Sequence, residues 1–141
     1  MVVVDTGVWI DLFNGNPSPA GVQLKRLLDE ARTPVVAPDL VVFEVLRGFR
    51  HERQHRMAMK LFEQIRVPSV VDAAGAERAA SRYRRLREMG ITVHSPIDVL
   101  LASHCIDEDL LLLQRDRDFL PFEQHFGLRL LQPSHGYQDP T

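Results

Sequence analysis

The sequence holds one cysteine, one tryptophan and only two lysines among 141 residues. With Cys105 as the sole thiol no intramolecular disulfide can form, so the composition suits a reducing cytoplasm. No long apolar run is present. The opening Met1-Val2-Val3-Val4 is broken by Asp5 and Asp11, far short of a membrane span, and no basic segment precedes it as in a signal peptide. Neither sign of charge is in excess. A formal net charge of -2 argues against a protein that coats nucleic acid nonspecifically. Repeats, linkers and low-complexity segments are also missing.

What is there reads as one soluble globular domain. Hydrophobic residues make up 45% and charged residues 26%, and 141 residues suffice to bury a core without a staple. The domain is expected over 1–132, with a polar, loose tail over 133–141. Fifteen of the seventeen basic residues are arginine, bunched at Arg47 to Arg56, Arg78 to Arg87, and Arg115 and Arg117. Guanidinium forks match phosphate bidentately, so such patches can hold a polyanion on a slightly acidic protein; they can equally be solvated helix faces.

Short β-branched or leucine-rich runs at Met1 to Val4, Val35 to Ala37, Leu110 to Leu113 and Leu128 to Leu131 read as buried strands, with a further short strand suggested at Val67-Pro68. Between them the apolar spacing is helical. Helices are expected from a Thr6 cap through Phe13, over Ser18 to Arg32, Leu40 to Phe49, Glu52 to Ile65, Asp72 to Met89 with Gly90 as its C-cap, from Ser95-Pro96 through Ile106, and from Asp116 to Phe126. Alternating strands and helices imply an α/β/α sandwich around a central, mainly parallel twisted sheet.

Four acids stand where such a sheet places its ligands, in the crevice beyond the strand ends. Asp5 ends the first strand and Asp116 shortly follows the third. Glu44 interrupts the apolar run Leu40-Val41-Val42-Phe43-Glu44-Val45-Leu46, and Asp98 lies at the start of a helix. Crowded carboxylates raise one another's pKa unless a cation neutralises them, and an oxygen-only set suits Mg²⁺ or Mn²⁺. Taken singly, each acid also has a plain structural role. Asp98 forms a capping-box pattern with Ser95, Asp116 can be an N-cap, Glu44 can share an exposed stripe with Arg47 and His51, and Asp5 can be a turn residue.

The set and its order resemble the PIN domain, and within it the VapC toxins of prokaryotic toxin–antitoxin pairs. The likeness is carried by Val-Val-Asp5-Thr6-Gly7-Val8-Trp9-Ile10-Asp11, by Glu44 in Val-Phe-Glu44-Val-Leu-Arg-Gly, by Asp98 in Pro-Ile-Asp98-Val-Leu-Leu-Ala, and by Leu-Leu-Gln-Arg-Asp116-Arg-Asp118-Phe119. The resemblance implies that Asp5, Glu44, Asp98 and Asp116 are the catalytic, metal-binding acids, supported by Thr6 and Asp118. A departure occurs at Gln114, where many relatives have threonine or histidine. The implied activity is Mg²⁺- or Mn²⁺-dependent endoribonuclease cleavage of structured RNA, tRNA first and rRNA second, leaving 5′-phosphate and 3′-hydroxyl ends. Arg82, Arg85, Arg115 and Arg117 are candidates to hold the RNA backbone. Tyr83 and Trp9 are candidate stacking surfaces, with core packing the better fit for both. The resemblance further implies a VapB-like antitoxin laid across the acidic cleft, a homodimer, a prokaryotic cytoplasmic setting and no membrane.

Two rival motifs belong to other classes. His51-Glu52-Arg53-Gln54-His55 matches the zinc-peptidase pattern His-Glu-x-x-His, although its intervening residues are polar where a helix beside a buried metal is usually apolar. Asp5-Thr6-Gly7 spells an aspartic-protease loop, but such enzymes are all-β and this chain is rich in helical patterns. A catalytically silent PIN-like binding module is the non-enzymatic alternative.

Overall fold

The valines that open the chain have no polar face, so they form a strand only where both sides are covered. A computed structural model describes residues 1–131 and puts them at the centre of a four-stranded sheet. The order along the chain is β1 (Val2–Val4), α1 (Thr6–Asn14), α2 (Pro19–Glu30), β2 (Val35–Val36), α3 (Asp39–Arg47), α4 (Glu52–Glu63), α5 (Ala73–Glu88), α6 (Pro96–Asp107), β3 (Leu111–Leu113), a 3₁₀ turn (Arg117–Phe119), α7 (Leu120–Phe126) and β4 (Arg129–Leu130). All pairings are parallel in the order β2-β1-β3-β4, with Val2, Val3 and Val4 opposite Leu111, Leu112 and Leu113. The three β1 valines are at most 1% exposed. Each such side chain contributes roughly 1.5–3 kcal/mol over an exposed one.

The helices fall into two packed groups, α1 to α4 and α5 to α7, the two outer layers of an α/β/α sandwich. Trp9 lies in the first group's core, fully buried, with its indole N–H donating to the Val4 carbonyl at 3.2 Å and its ring against Phe13 and Phe62. That position removes it as a stacking surface for a ligand. Because β1 has β2 on one side and β3 on the other, the chain reverses its direction of travel across the sheet at β1. The crevice where ligands bind such sheets therefore opens between the ends of β1 and β3.

Several boundaries differ from expectation for identifiable reasons. Helix α2 stops at Glu30 because Ala31 turns left-handed at φ 53°, before Thr33-Pro34 is reached. The strand expected at Val67-Pro68 is reduced to an isolated bridge between Val36 and Arg66. The helix expected from Asp116 to Phe126 is broken into the 3₁₀ turn and α7. Gly90 adopts φ 78° and closes α5 as a residue without Cβ can. The expected tail over 133–141, and residue 132 of the expected domain, lie outside the described residues. Among the described residues no helix is long and apolar enough to cross a membrane.

Candidate metal centre

The end of β1 fixes Asp5. Its N–H donates to the Leu113 carbonyl at 3.0 Å, continuing the β1–β3 ladder by one step, while its own carbonyl accepts from Val8 and Trp9 and so starts α1. Asp5 rather than Thr6 thus occupies the N-cap position. The Thr6 hydroxyl, freed from capping, donates instead to Glu44 Oε1 at 2.7 Å across 38 residues of sequence. Glu44 is 13% exposed on α3, and its other oxygen lies 3.6 Å from the Arg47 guanidinium.

Helix α6 delivers Asp98. Ser95 Oγ caps it by accepting the Asp98 N–H at 3.4 Å, so the hydroxyl does the capping and the carboxylate is left for the crevice. Asp116 follows β3 in a turn pinned by Gln114, whose buried side-chain carbonyl accepts the Asp116 N–H. This gives Gln114 a definite task, shaping the loop that carries the acid. One Asp116 carboxylate oxygen accepts the Asp118 N–H at 2.9 Å and caps the 3₁₀ turn. That turn folds Asp118 back, where it accepts the His94 N–H at 3.3 Å.

Asp98, Asp116 and Asp118 each offer an oxygen, and these three oxygens lie within 4.8 Å of one another. Asp118, read from sequence as a supporting acid, is therefore part of a converging group of three carboxylates. Asp5 and Glu44 join through the field they share with it. The Asp98 carboxyl is pushed up from 3.8 to about 8, first by burial, then by Asp5, Asp116, Glu44 and Asp118. Asp5 rises to about 7, mainly from burial, with the Thr6 N–H opposing and then Glu44 and Asp116 adding to the rise. One Asp5 oxygen, Oδ1, is buried without a hydrogen-bond partner. An orphaned carboxylate oxygen, three converging acids and an all-oxygen donor set fit a hard divalent cation.

The arginines divide. Arg82 is spent inside the fold, its guanidinium on the Ser103 carbonyl and hydroxyl and 2.8 Å from Asp107. Arg115 makes a 2.7 Å ion pair with Asp11. Arg85 lies over the Phe126 ring and Arg117 begins the exposed face of the 3₁₀ turn. Tyr83 packs at the core's edge with Arg87 over its ring. The His-Glu-x-x-His segment forms no centre. His51 is only the N-cap of α4, His55 faces Glu52 at 3.9 Å, and no third ligand gathers with them among the described residues. The parallel sheet likewise excludes the all-β protease reading of Asp5-Thr6-Gly7.

A parallel sheet with this switch point and this acid set defines a class: the chain belongs to the PIN domain family, whose model matches residues 2–123. Within that family it is 31% identical over 119 residues to ribonuclease VapC11 of Mycobacterium tuberculosis, covering 84% of this chain and 89% of that one. Among solved structures it resembles VapBC2 of Rickettsia felis bound to a promoter DNA fragment, with a TM-score of 0.71, 18% identity and coverage of 93% and 98% of the two chains. It also resembles VapC20 of Mycobacterium tuberculosis, a sarcin–ricin loop-cleaving toxin, with a TM-score of 0.65, 23% identity and coverage of 89% and 96%.

Proposed function

We propose that this chain is the ribonuclease toxin of a toxin–antitoxin pair, hydrolysing phosphodiester bonds in structured RNA with Mg²⁺ or Mn²⁺ held at the β1–β3 crevice. The observation that carries the reading is the convergence of Asp98, Asp116 and Asp118 beside the orphaned oxygen of Asp5. Asp5, Glu44, Asp98 and Asp116 are the proposed metal ligands, with Asp118 as a further one. A divalent ion there would neutralise phosphate charge and make a nearby water more acidic. Thr6 orients Glu44 through its hydroxyl, and Gln114 sets the loop of Asp116. Arg85 and Arg117 are the proposed backbone contacts, because both lie on exposed positions of the α5–α7 side.

The kinship with VapC11 and the fold shared with VapBC complexes support a small VapB-like antitoxin as partner. Transfer RNA is the first substrate to test. Ribosomal RNA is the second, and the sarcin–ricin loop cut by VapC20 supports including it. Assembly as a homodimer is part of the same proposal.

Purified, antitoxin-free protein incubated with tRNA and rRNA in Mg²⁺ or Mn²⁺ should give discrete cuts. EDTA and Asp5→Asn should abolish them, and His51→Ala should leave them intact. Folded protein that cuts neither RNA under either metal would overturn the nuclease reading in favour of a silent binding module. Zinc-dependent peptide cleavage lost in His51→Ala would replace it with the peptidase.

A further inference from the structure

Asp11 is a buried carboxylate, 3% exposed, that takes no part in the acid cluster. Three groups converge on it. Ser18 Oγ donates to Asp11 Oδ2 at 2.7 Å, Asn16 Nδ2 donates to Oδ1 at 3.2 Å, and Arg115 Nε lies 2.7 Å from Oδ2. Ser18 is itself anchored as the N-cap of α2, where it accepts the Gly21 N–H at 3.1 Å. The carboxylate is therefore held from the connection that follows its own helix and from the cap of the next before the arginine reaches it.

Arg115 comes from the other side of the sheet's switch point. It stands between Gln114, which holds the Asp116 N–H, and Asp116 itself. To reach Asp11 its guanidinium lies flat along the first turn of α1, directly over Gly7. A Cβ built on Gly7 would stand 3.2 Å from the guanidinium carbon and 3.3 Å from Nε, tighter than an ordinary contact. Gly7 and Asp11 are four residues apart, hence on one face of α1. This helix starts at Asp5. The contact thus ties the helix that begins at one proposed metal ligand to the loop that carries another.

We propose that Gly7, Asp11 and Arg115 form a strut that sets the position of Asp116 relative to Asp5, so that Arg115 is a positioning residue for the metal centre rather than a contact for RNA. The proposal rests on the metal-dependent reading given above. Bringing a guanidinium onto a buried carboxylate costs desolvation that the ion pair alone often only offsets, so its rigid, geometry-setting effect is the stronger reason for it. The planar fork also explains arginine over lysine, since an ammonium has no flat face to lie on Gly7.

The test compares Gly7→Ala, Asp11→Asn, Arg115→Met and the Asp11→Asn/Arg115→Met double variant with wild type and Asp5→Asn. Gly7→Ala keeps both charges and only crowds the guanidinium, so it serves where the charge variants fold poorly; circular dichroism at 25 °C selects the folded proteins. Mn²⁺ binding is read directly from the free-Mn²⁺ electron paramagnetic resonance signal. Cleavage is then measured as kcat and KM for RNA at limiting and at saturating Mn²⁺.

A strut predicts that Gly7→Ala, Asp11→Asn and Arg115→Met each weaken Mn²⁺ binding about 10- to 100-fold, as loss of a ligand's supporting partner does. The double variant should be no worse than Arg115→Met, KM for RNA should hold, and high Mn²⁺ should restore much of kcat. An RNA contact predicts the opposite split, with Arg115→Met raising KM, and with Gly7→Ala and Asp11→Asn behaving as wild type at unchanged Mn²⁺ affinity. That result overturns the strut alone. A wild type that binds no more Mn²⁺ than Asp5→Asn overturns the metal reading, and the strut falls with it.

Discussion

The two ends of helix α6 carry acids of opposite character. Asp98, in the first turn, is buried among other carboxylates and its carboxyl is raised to about 8. Asp107, the last residue, is held below the ordinary carboxyl range. Burial alone would raise it, but hydrogen bonds and charge from Arg78 and Arg82 outweigh that. The helix dipole favours the reverse arrangement, an ionised acid at the N-terminus and none at the C-terminus, by about 0.3–1 kcal/mol. Local partners decide instead. Two arginines settle Asp107 as a structural acid, while the crevice supplies Asp98 with more negative charge, an arrangement that a proton or a bound cation relieves.

The sharpest way to break the comparison is to neutralise the first acid. Asp98→Asn should reduce RNA cleavage by at least about a hundredfold, the size seen when a preorganised charge-stabilising group is removed. In EDTA the same variant should melt higher than wild type, because one repelling carboxylate is gone. A variant that keeps wild-type turnover would place Asp98 with the structural acids.

The next effect is in the pH dependence. Asp5 and Asp98 titrate near about 7 and about 8 when folded, against 3.8 ordinarily, so the metal-free folded state binds more protons than the unfolded chain between these limits. The share of metal-free stability set by these two groups is then fully present below the ordinary carboxyl range and is lost as pH rises toward about 8. Saturating Mn²⁺ should remove that fall and, at about a hundred times its dissociation constant, add about 2.7 kcal/mol. Urea melts at about pH 5 and about pH 8, with EDTA or Mn²⁺, check both. Asp98→Asn isolates that residue's share, since it should make the EDTA curve shallower and leave the part that burial of Asp5 supplies.

The smallest effect belongs to the other end. Asp107→Asn should leave cleavage within about twofold and cost about 1–2 kcal/mol in urea melts, the low side of a charged hydrogen-bond pair because Arg78 is half exposed. Its pH signature should be opposite in sign. With its folded carboxyl below the ordinary range, the stability from Asp107 is present at neutral pH and lost in acid.

Much of this contrast could be read from the sequence on the crevice side and little of it at the helix end. The strands β1 and β3 announce themselves because buried parallel strands are unbroken apolar runs, and an acid just past such a run has one place to go. Asp5 and Asp116 were visible for that reason, Glu44 because it interrupts an apolar helical run and Asp98 because it opens a helix, and the four share one field. Asp118 was harder to weigh, since its closeness to Asp98 depends on a 3₁₀ turn where a longer helix was expected. The hydroxyl of Thr6 looked like a cap because its true partner, Glu44, lies 38 residues away. Arg82 and Arg115 looked like phosphate ligands because sequence shows the charge of an arginine but not the acid it meets across the fold. The left-handed turn at Ala31 carries no local signal, and the one at Asp109 only the weak preference of aspartate for that region.

The central position of β1 bears on when the protein can act. Its inner neighbour, Leu111 to Leu113, is made more than a hundred residues after it, and Asp116 later still. Closing so long a loop is slow and brings no reward until it is complete. A ribosome that has passed Asp5 therefore carries, until Asp116 is made, a polypeptide whose acids are far apart. The acid cluster can assemble only once Asp116 and Asp118 have emerged, which on the proposed function leaves a partner made alongside it time to be ready.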